Sequence, residues 1–332
     1  MNSNNLVSDG QSNSVHSNTT EKTKSSALKA LLSAPNPYGL PLNLLNTGLL
    51  VDNLPIWHFP VRDDPVTHVK KIQALPMRKD DIFIASFMKC GTHWLSEILY
   101  MLTRGSTDYS NKMKESAMLE LVDDLPSLEL ESTLSPRILN SHLYMAHLPK
   151  EIVQKKVKMI HLMRNAKDTA VSWYHHIKEM SVLDTFSFDK FLQAYMLDDH
   201  IPMSHQLNFL RQFSVFEKTH PDHPIMHIHY EDLKNNPVDV ILRLASFIRI
   251  SASETFCQQV AEACSFENMK RDNERREMPE NINGKISKGA FYRKGIIGDW
   301  KNCFTIAQSE SFDEFIQAQE RKGCPYTLKG EL

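Results

Sequence analysis

Four short apolar, β-branched runs, residues 82–87, 137–141, 157–163 and 224–229, alternate with longer stretches of helical periodicity. This alternation constrains the fold more than any other feature, because strands joined by crossover helices pair in parallel, and a parallel sheet is covered on both faces. The expected architecture is α/β, a single domain with a central, mostly parallel sheet flanked by helices. A chain of 332 residues can bury one large core of that kind. Ligands bind such a sheet beyond the C-terminal ends of its strands. Lys89, His142, Arg164 and Tyr230 each stand just after one of the four runs, so the chemistry is expected along one edge.

The hexapeptide Lys89-Cys90-Gly91-Thr92-His93-Trp94 links the strand-like residues 81–87 to a helical run, residues 95–103. A strand, a tight loop and a helix N-terminus in succession favour an anion. Unpaired N–H groups point outward, the helix dipole attracts negative charge, and Lys89 adds a full positive charge. The Walker order GxxxxGK[ST] is absent, since here the lysine precedes the glycine, so this is not an ordinary ATP or GTP loop. A Lys-X-Gly turn also serves as plain punctuation before a helix, and the hexapeptide needs a second half. That half is Arg164-Asn165-Ala166-Lys167-Asp168, continuing to Ser172, which again follows an apolar run and opens an amphipathic segment. Asn165 is expected to cap this helix with Asp168 at its third position, a variant of the capping box, above an apolar stripe of Trp173, Ile177 and Met180. A third piece is Arg293-Lys294-Gly295, followed by Gly298-Asp299-Trp300.

Composition excludes several classes. Net charge is −2, so a basic nucleic-acid footprint is not expected and anion binding must come from local clusters. The five cysteines, Cys90, Cys257, Cys264, Cys303 and Cys324, are scattered and never form a CxxC pair, which argues for reduced thiols and a cytoplasmic protein. No run approaches the roughly 20 apolar residues of a membrane span. The first 45 residues, rich in Ser, Asn and Thr at their start, are expected to form a disordered or loosely ordered extension before a domain over residues 46–332. His227 and His229 face one side of a strand, but no third metal ligand stands at a known spacing.

In order and spacing, from about residue 82 to about residue 300, these segments together with Ser135-Pro136-Arg137-Ile138-Leu139-Asn140-Ser141-His142 resemble the cytosolic sulfotransferases. The resemblance implies a P-loop-kinase-like sulfotransferase fold and 3′-phosphoadenosine 5′-phosphosulfate (PAPS) as sulfuryl donor, with 3′-phosphoadenosine 5′-phosphate (PAP) as product. The donor carries two separated phosphate sites, so two basic sites are implied. Lys89, with the amides of Cys90, Gly91, Thr92, His93 and Trp94 and the Thr92 hydroxyl, would hold the 5′-phosphosulfate. Arg164 and Ser172, joined by Arg293, Lys294 and Gly295, would hold the 3′-phosphate. Trp94 and Phe266 would stack on adenine, Tyr230 would bond its edge, and Cys264 would lie where a threonine is usual. His142 would be the general base, because imidazole can accept the acceptor's proton at neutral pH, and Lys89 would stabilise the departing phosphate. The activated anhydride requires no metal, and none is expected.

The chain departs from the family pattern at Cys90, usually serine or threonine, at His93, usually threonine, and at Asn140, where many members carry lysine. The missing charge at Asn140 implies slow turnover or an unusual acceptor. Cys90, near a lysine and a helix start, is expected to favour thiolate and to make donor binding sensitive to oxidation. The acceptor implied is a small, largely apolar molecule with a hydroxyl or amine, bound beside Asn140, His142 and His176 under a lid over residues 281–291. A homodimer through residues 301–310 is implied as well. Two other functions fit the same residues, a dehydratase that works through sulfonation and a non-catalytic adenine-nucleotide-binding protein.

Overall fold

The computed structural model describes residues 50–51, 54–56, 61–129, 134–179, 187–196, 205–284, 287–324 and 328. The expected N-terminal extension and Met180 lie outside these residues. A short antiparallel pair, β1 (Leu50–Val51) and β2 (Leu54–Pro55), precedes the main sheet. That sheet has four parallel strands, β3 (Ile82–Ser86), β4 (Ile138–Ser141), β5 (Lys158–Met163) and β6 (Ile225–His229), in the order β4-β3-β5-β6.

The order follows from the side chains. All five residues of β3 are buried, as a strand covered on both faces requires, and Ile82 pairs with both Ile138 and Lys158. β6 is the most open strand, with polar His227 and His229 at alternate positions. At the sheet's N-terminal end Arg137 donates to both carboxylate oxygens of Asp81 and to the carbonyls of Leu128 and Pro76. A buried pair satisfied this completely fastens β4 to β3 and leaves no charge for a ligand.

Helices supply the crossovers. The Thr92–Arg104 helix starts after Gly91 and stops at Gly105, both left-handed, and buries Leu95, Ile98, Leu99 and Leu102. The Pro237–Ile248 helix has proline in its first turn and buries Ile241, Leu244, Ala245 and Ile248, the positions its sequence period marks. In the Ala166–Glu179 helix Asn165 Oδ1 accepts the Asp168 N–H at 3.0 Å, as expected of a cap. The Asp168 carboxylate does not turn back to complete a capping box. It accepts the N–H groups of Gly298 at 2.7 Å and Trp300 at 3.0 Å, which pins a loop 130 residues away against this helix.

Candidate active site

Because the strands are parallel, the segments after β3, β4, β5 and β6 leave the sheet on one side. They border a single cavity of about 1020 Å³. The loop after β3 passes through two left-handed residues, Lys89 at φ 64° and Gly91 at φ 106°, before the helix begins. For a lysine this conformation costs about 1–2 kcal/mol, and the strain is held where the side chain enters the cavity. A Cβ at Gly91 would lie 2.9 Å from the Tyr230 ring, so only glycine lets the loop pass the residue that follows β6. Gly91, Thr92, His93 and Trp94 all line the cavity.

Cys90 does not. Its side chain is 0% exposed, and burial pushes the thiol up to about 12, so the expected reactive thiolate is absent. The sequence places a lysine and a helix start beside this residue, but the loop turns its sulfur into the core, where an ion is poorly solvated.

After β5, Arg164 and Ser172 face the cavity. The Arg164 guanidinium lies 4.3 Å from the centre of the Tyr230 ring and donates to the carbonyls of Lys89 at 3.0 Å and Ile296 at 3.4 Å. It is buried, and among the described residues it meets no carboxylate and its Nε has no hydrogen-bond partner. The Trp94 Nε1 is likewise buried and unpartnered, with its ring edge-on to Tyr230 at 5.6 Å. On the far wall stand Cys264, Phe266, Arg293, Lys294 and Gly295. Gly295 sits at φ 63°, and a Cβ there would lie 2.2 Å from the Phe266 ring, which fixes that ring against the late loop. Arg293 and Lys294 both reach Asp299, at 2.5 and 2.8 Å. Burial opposes the charge on Asp299, but its bonds to Lys294, Asn302 and Arg293 hold the carboxyl down to about 2. Two cations thus share one carboxylate and leave a surplus positive charge.

His142 follows β4. Its Nδ1 is 2.9 Å from the carbonyl oxygen of Ser86, which can only accept, so Nδ1 carries the proton and Nε2 keeps its lone pair. The Glu120 carboxylate accepts the His142 backbone N–H at 2.7 Å. Burial, then the charge of Lys114, push His142 down to about 3. Burial and Lys114 also push Lys89 down to about 7, with Arg164 and Arg293 acting in the same direction. Lys89 Nζ lies 3.3 Å from Nδ1 of His176, which borders the same space under Phe291.

Asn140 is the second expected residue that does not border the cavity. It is fully buried and turned toward Lys114, donating from Nδ2 to the Lys114 carbonyl at 3.0 Å. Lys114 and Glu115 do border the cavity, on a 3-10 turn over Lys114–Ala117 that no motif marks. Met118, Leu121 and Ile282 give this end an apolar wall. Of the expected lid, Ile282 is buried there and Phe291 packs on His93 at 4.6 Å between ring centres. Among the described residues no group of three or more His, Cys, Asp or Glu could hold a metal ion; His227 instead pairs with Glu217 at 2.7 Å.

Known proteins are similar to this chain in sequence and in fold. A sulfotransferase domain matches residues 79–325. Sulfotransferase 1B1 of Canis lupus familiaris is 33% identical over 296 residues, covering 84% of this chain and 97% of the relative. Sulfotransferase 1A1 of the same species is 32% identical, covering 80% and 91%. Among solved structures, mouse sulfotransferase SULT7A1 complexed with PAP superposes with a TM-score of 0.65 at 23% identity, covering 82% of this chain and 94% of that one. Retinol dehydratase in complex with androsterone and PAP gives 0.63 at 18%, covering 76% and 84%. These two likenesses speak for the fold, and the domain match and the closer sequences decide the family: this chain belongs to the sulfotransferases.

Proposed function

We propose that this protein transfers the sulfuryl group of PAPS to a hydroxyl or amine of a small, largely apolar acceptor, releasing PAP. One observation carries the reading. Lys89 and a histidine whose tautomer is fixed, His142, border the same cavity, between a wall with unspent positive charge and a wall of apolar side chains. Sulfuryl transfer needs such positioning, because the nucleophile, sulfur and leaving oxygen must align while the protein neutralises charge.

The residues present fit the donor. The unpartnered Arg164 Nε and the surplus charge at Arg293 and Lys294 suit one phosphate, and the amides and hydroxyl at residues 90–94 suit the other. Trp94, Phe266 and Tyr230 offer ring faces and edges for adenine, and Cys264 borders the same wall. In the reaction His142 takes the acceptor's proton at Nε2, and Lys89 faces the departing phosphate. Burial first, and neighbouring cations after it, depress both groups. An anionic donor offsets the part due to those cations, so the base strengthens once the donor is in place. His176, beside Lys89, borders the acceptor.

A cytoplasmic setting is supported by five cysteines that form no disulfide. No helix among the described residues is long and apolar enough to cross a membrane. A homodimer through residues 301–310 is supported by Ile306, which is 80% exposed at the start of the Ile306–Arg321 helix. Light scattering at micromolar concentration tests it, and a monomer mass counts against it.

The central test incubates the protein with labelled PAPS and a panel of phenols, steroids, alcohols and amines, beside Lys89→Ala and His142→Ala. Transfer that both variants lose is the expected result. A dehydrated product in place of a sulfate ester would make the protein a sulfonation-dependent dehydratase. PAP binding without transfer would make it a nucleotide-binding protein, and no PAP binding would overturn the reading.

A further inference from the structure

Lys114 lies outside every motif, yet it borders the cavity with its side chain 5% exposed. Its Nζ makes three contacts, all long: Glu115 Oε1 at 3.2 Å, Asn140 Oδ1 at 3.4 Å and Met118 Sδ at 3.5 Å. Glu115 Oε1 is shared with His93 Nε2 at 2.9 Å. A buried ammonium has three donors and is costly to leave poorly met. Asn140 grips the lysine at both ends, its carboxamide oxygen facing Nζ and its nitrogen donating to the Lys114 carbonyl. That grip holds the side chain beside the segment that presents His142, the residue two beyond Asn140.

We propose that Lys114 is a third catalytic residue, contacting the acceptor oxygen in the bound complex, with Asn140 as its positioning residue. This rests on the sulfuryl-transfer reading above. The acceptor's proton passes to His142 Nε2, a bond forms from the acceptor oxygen to sulfur, and the bond from sulfur to the phosphate oxygen breaks with its electron pair leaving toward Lys89. Lys114 gives and takes no proton. It faces the negative charge that gathers on the acceptor oxygen and on the sulfuryl oxygens, where a fixed cation in a site shielded from water acts most strongly.

A pH profile separates this role from a structural one. Lys114, Lys89 and His93 face His142 as cations or potential cations, and Glu115 and Glu120 as acids. Lys114 lowers the affinity of His142 for a proton. Removing it therefore raises the pH below which kcat/KM falls.

The test measures PAPS-dependent transfer across the same panel of phenols, steroids, alcohols and amines, with PAP binding as the fold control. Lys114→Met is expected to lose about 30-fold or more in kcat, to bind PAP within about threefold of the wild type, and to move the acid limb of kcat/KM to higher pH. Lys114→Arg is expected to recover most of the rate. Asn140→Ala is expected to lose about fivefold, with the double variant no worse than Lys114→Met alone. Lys114→Met leaves the Glu115 charge buried, so Lys114→Met/Glu115→Gln, which removes both charges, carries the test if the single variant does not fold. A kcat within about threefold of the wild type, or a loss of PAP affinity that matches the loss of rate, overturns the assignment. No transfer by the wild type overturns the function and this role together, whereas transfer that Lys114→Met retains overturns this role alone.

Discussion

Around Arg164, Arg293 and Lys294 positive charge is left over, met by carbonyls, a tyrosine face and the single carboxylate of Asp299. At the other end of the cavity, Lys114 and His93 meet Glu115 within 3.2 and 2.9 Å, beside Met118, Leu121 and Ile282. Burial opposes the charge on Glu115, but His93 and Lys114 hold the carboxyl well below the usual range. One end carries a surplus of positive charge, and the other is close to neutral by itself. The contrast teaches that one cavity can hold an uncompensated cationic end and a nearly neutral end by placing its carboxylates unevenly.

The largest effect should come where the two ends meet. His142→Ala is expected to lower kcat by about 10²–10⁴-fold while PAP affinity stays within about threefold, read by steady-state kinetics and calorimetry. Equal losses in both would merge the two ends into one functional unit. Next, Arg164→Gln is expected to raise the PAP Kd about 30-fold or more, with kcat at saturating donor changed little. A fall in kcat without weaker PAP binding would place Arg164 in the chemistry and break the comparison.

A smaller effect concerns acid stability. Burial keeps His142 near 3 and His93 near 4, and holds His161 and His176 well below their ordinary value. Between about pH 6.5 and those folded values the unfolded chain binds protons that the folded chain refuses, so stability falls as pH falls, by up to about 1.4 kcal/mol per pH unit for each histidine. Tm should drop from pH 7 to pH 5, and less steeply with PAP bound, since an anion eases protonation of His142. A Tm that stays level or rises over that range would contradict these buried neutral histidines. The smallest effect is expected at Cys90, where peroxide treatment should leave PAP affinity unchanged because the thiol is sealed in the core. Oxidation that abolishes binding would return that sulfur to the donor site.

The four strands were legible to within about one residue at either end, since residues 82–87 and 224–229 became Ile82–Ser86 and Ile225–His229. Strand patterns are local, and β-branched runs between turn signals are seldom ambiguous in so regular a topology. The cationic end of the cavity was legible for a similar reason. A loop that meets an anion through its backbone, and an arginine just past a strand, leave their marks within a few consecutive residues.

The end around Lys114 and Glu115 was not. Lys114 and Glu115 sit on a 3-10 turn without periodicity, and their neighbours at His93 and Asn140 lie about 20 or more residues away in the chain. Nor did any local signal show that Asp168 would hold Gly298 and Trp300, or that the helix-start cysteine would point inward. The sequence by itself determined the parallel sheet, the edge along which the cavity lies and the residue types that can meet a phosphate, because periodicity and short loops encode these locally. Only the tertiary structure decided which way Cys90 turns, which cation stands beside His142 and how charge is shared between the two ends, because burial and charge pairing depend on side chains that meet only after the chain has packed.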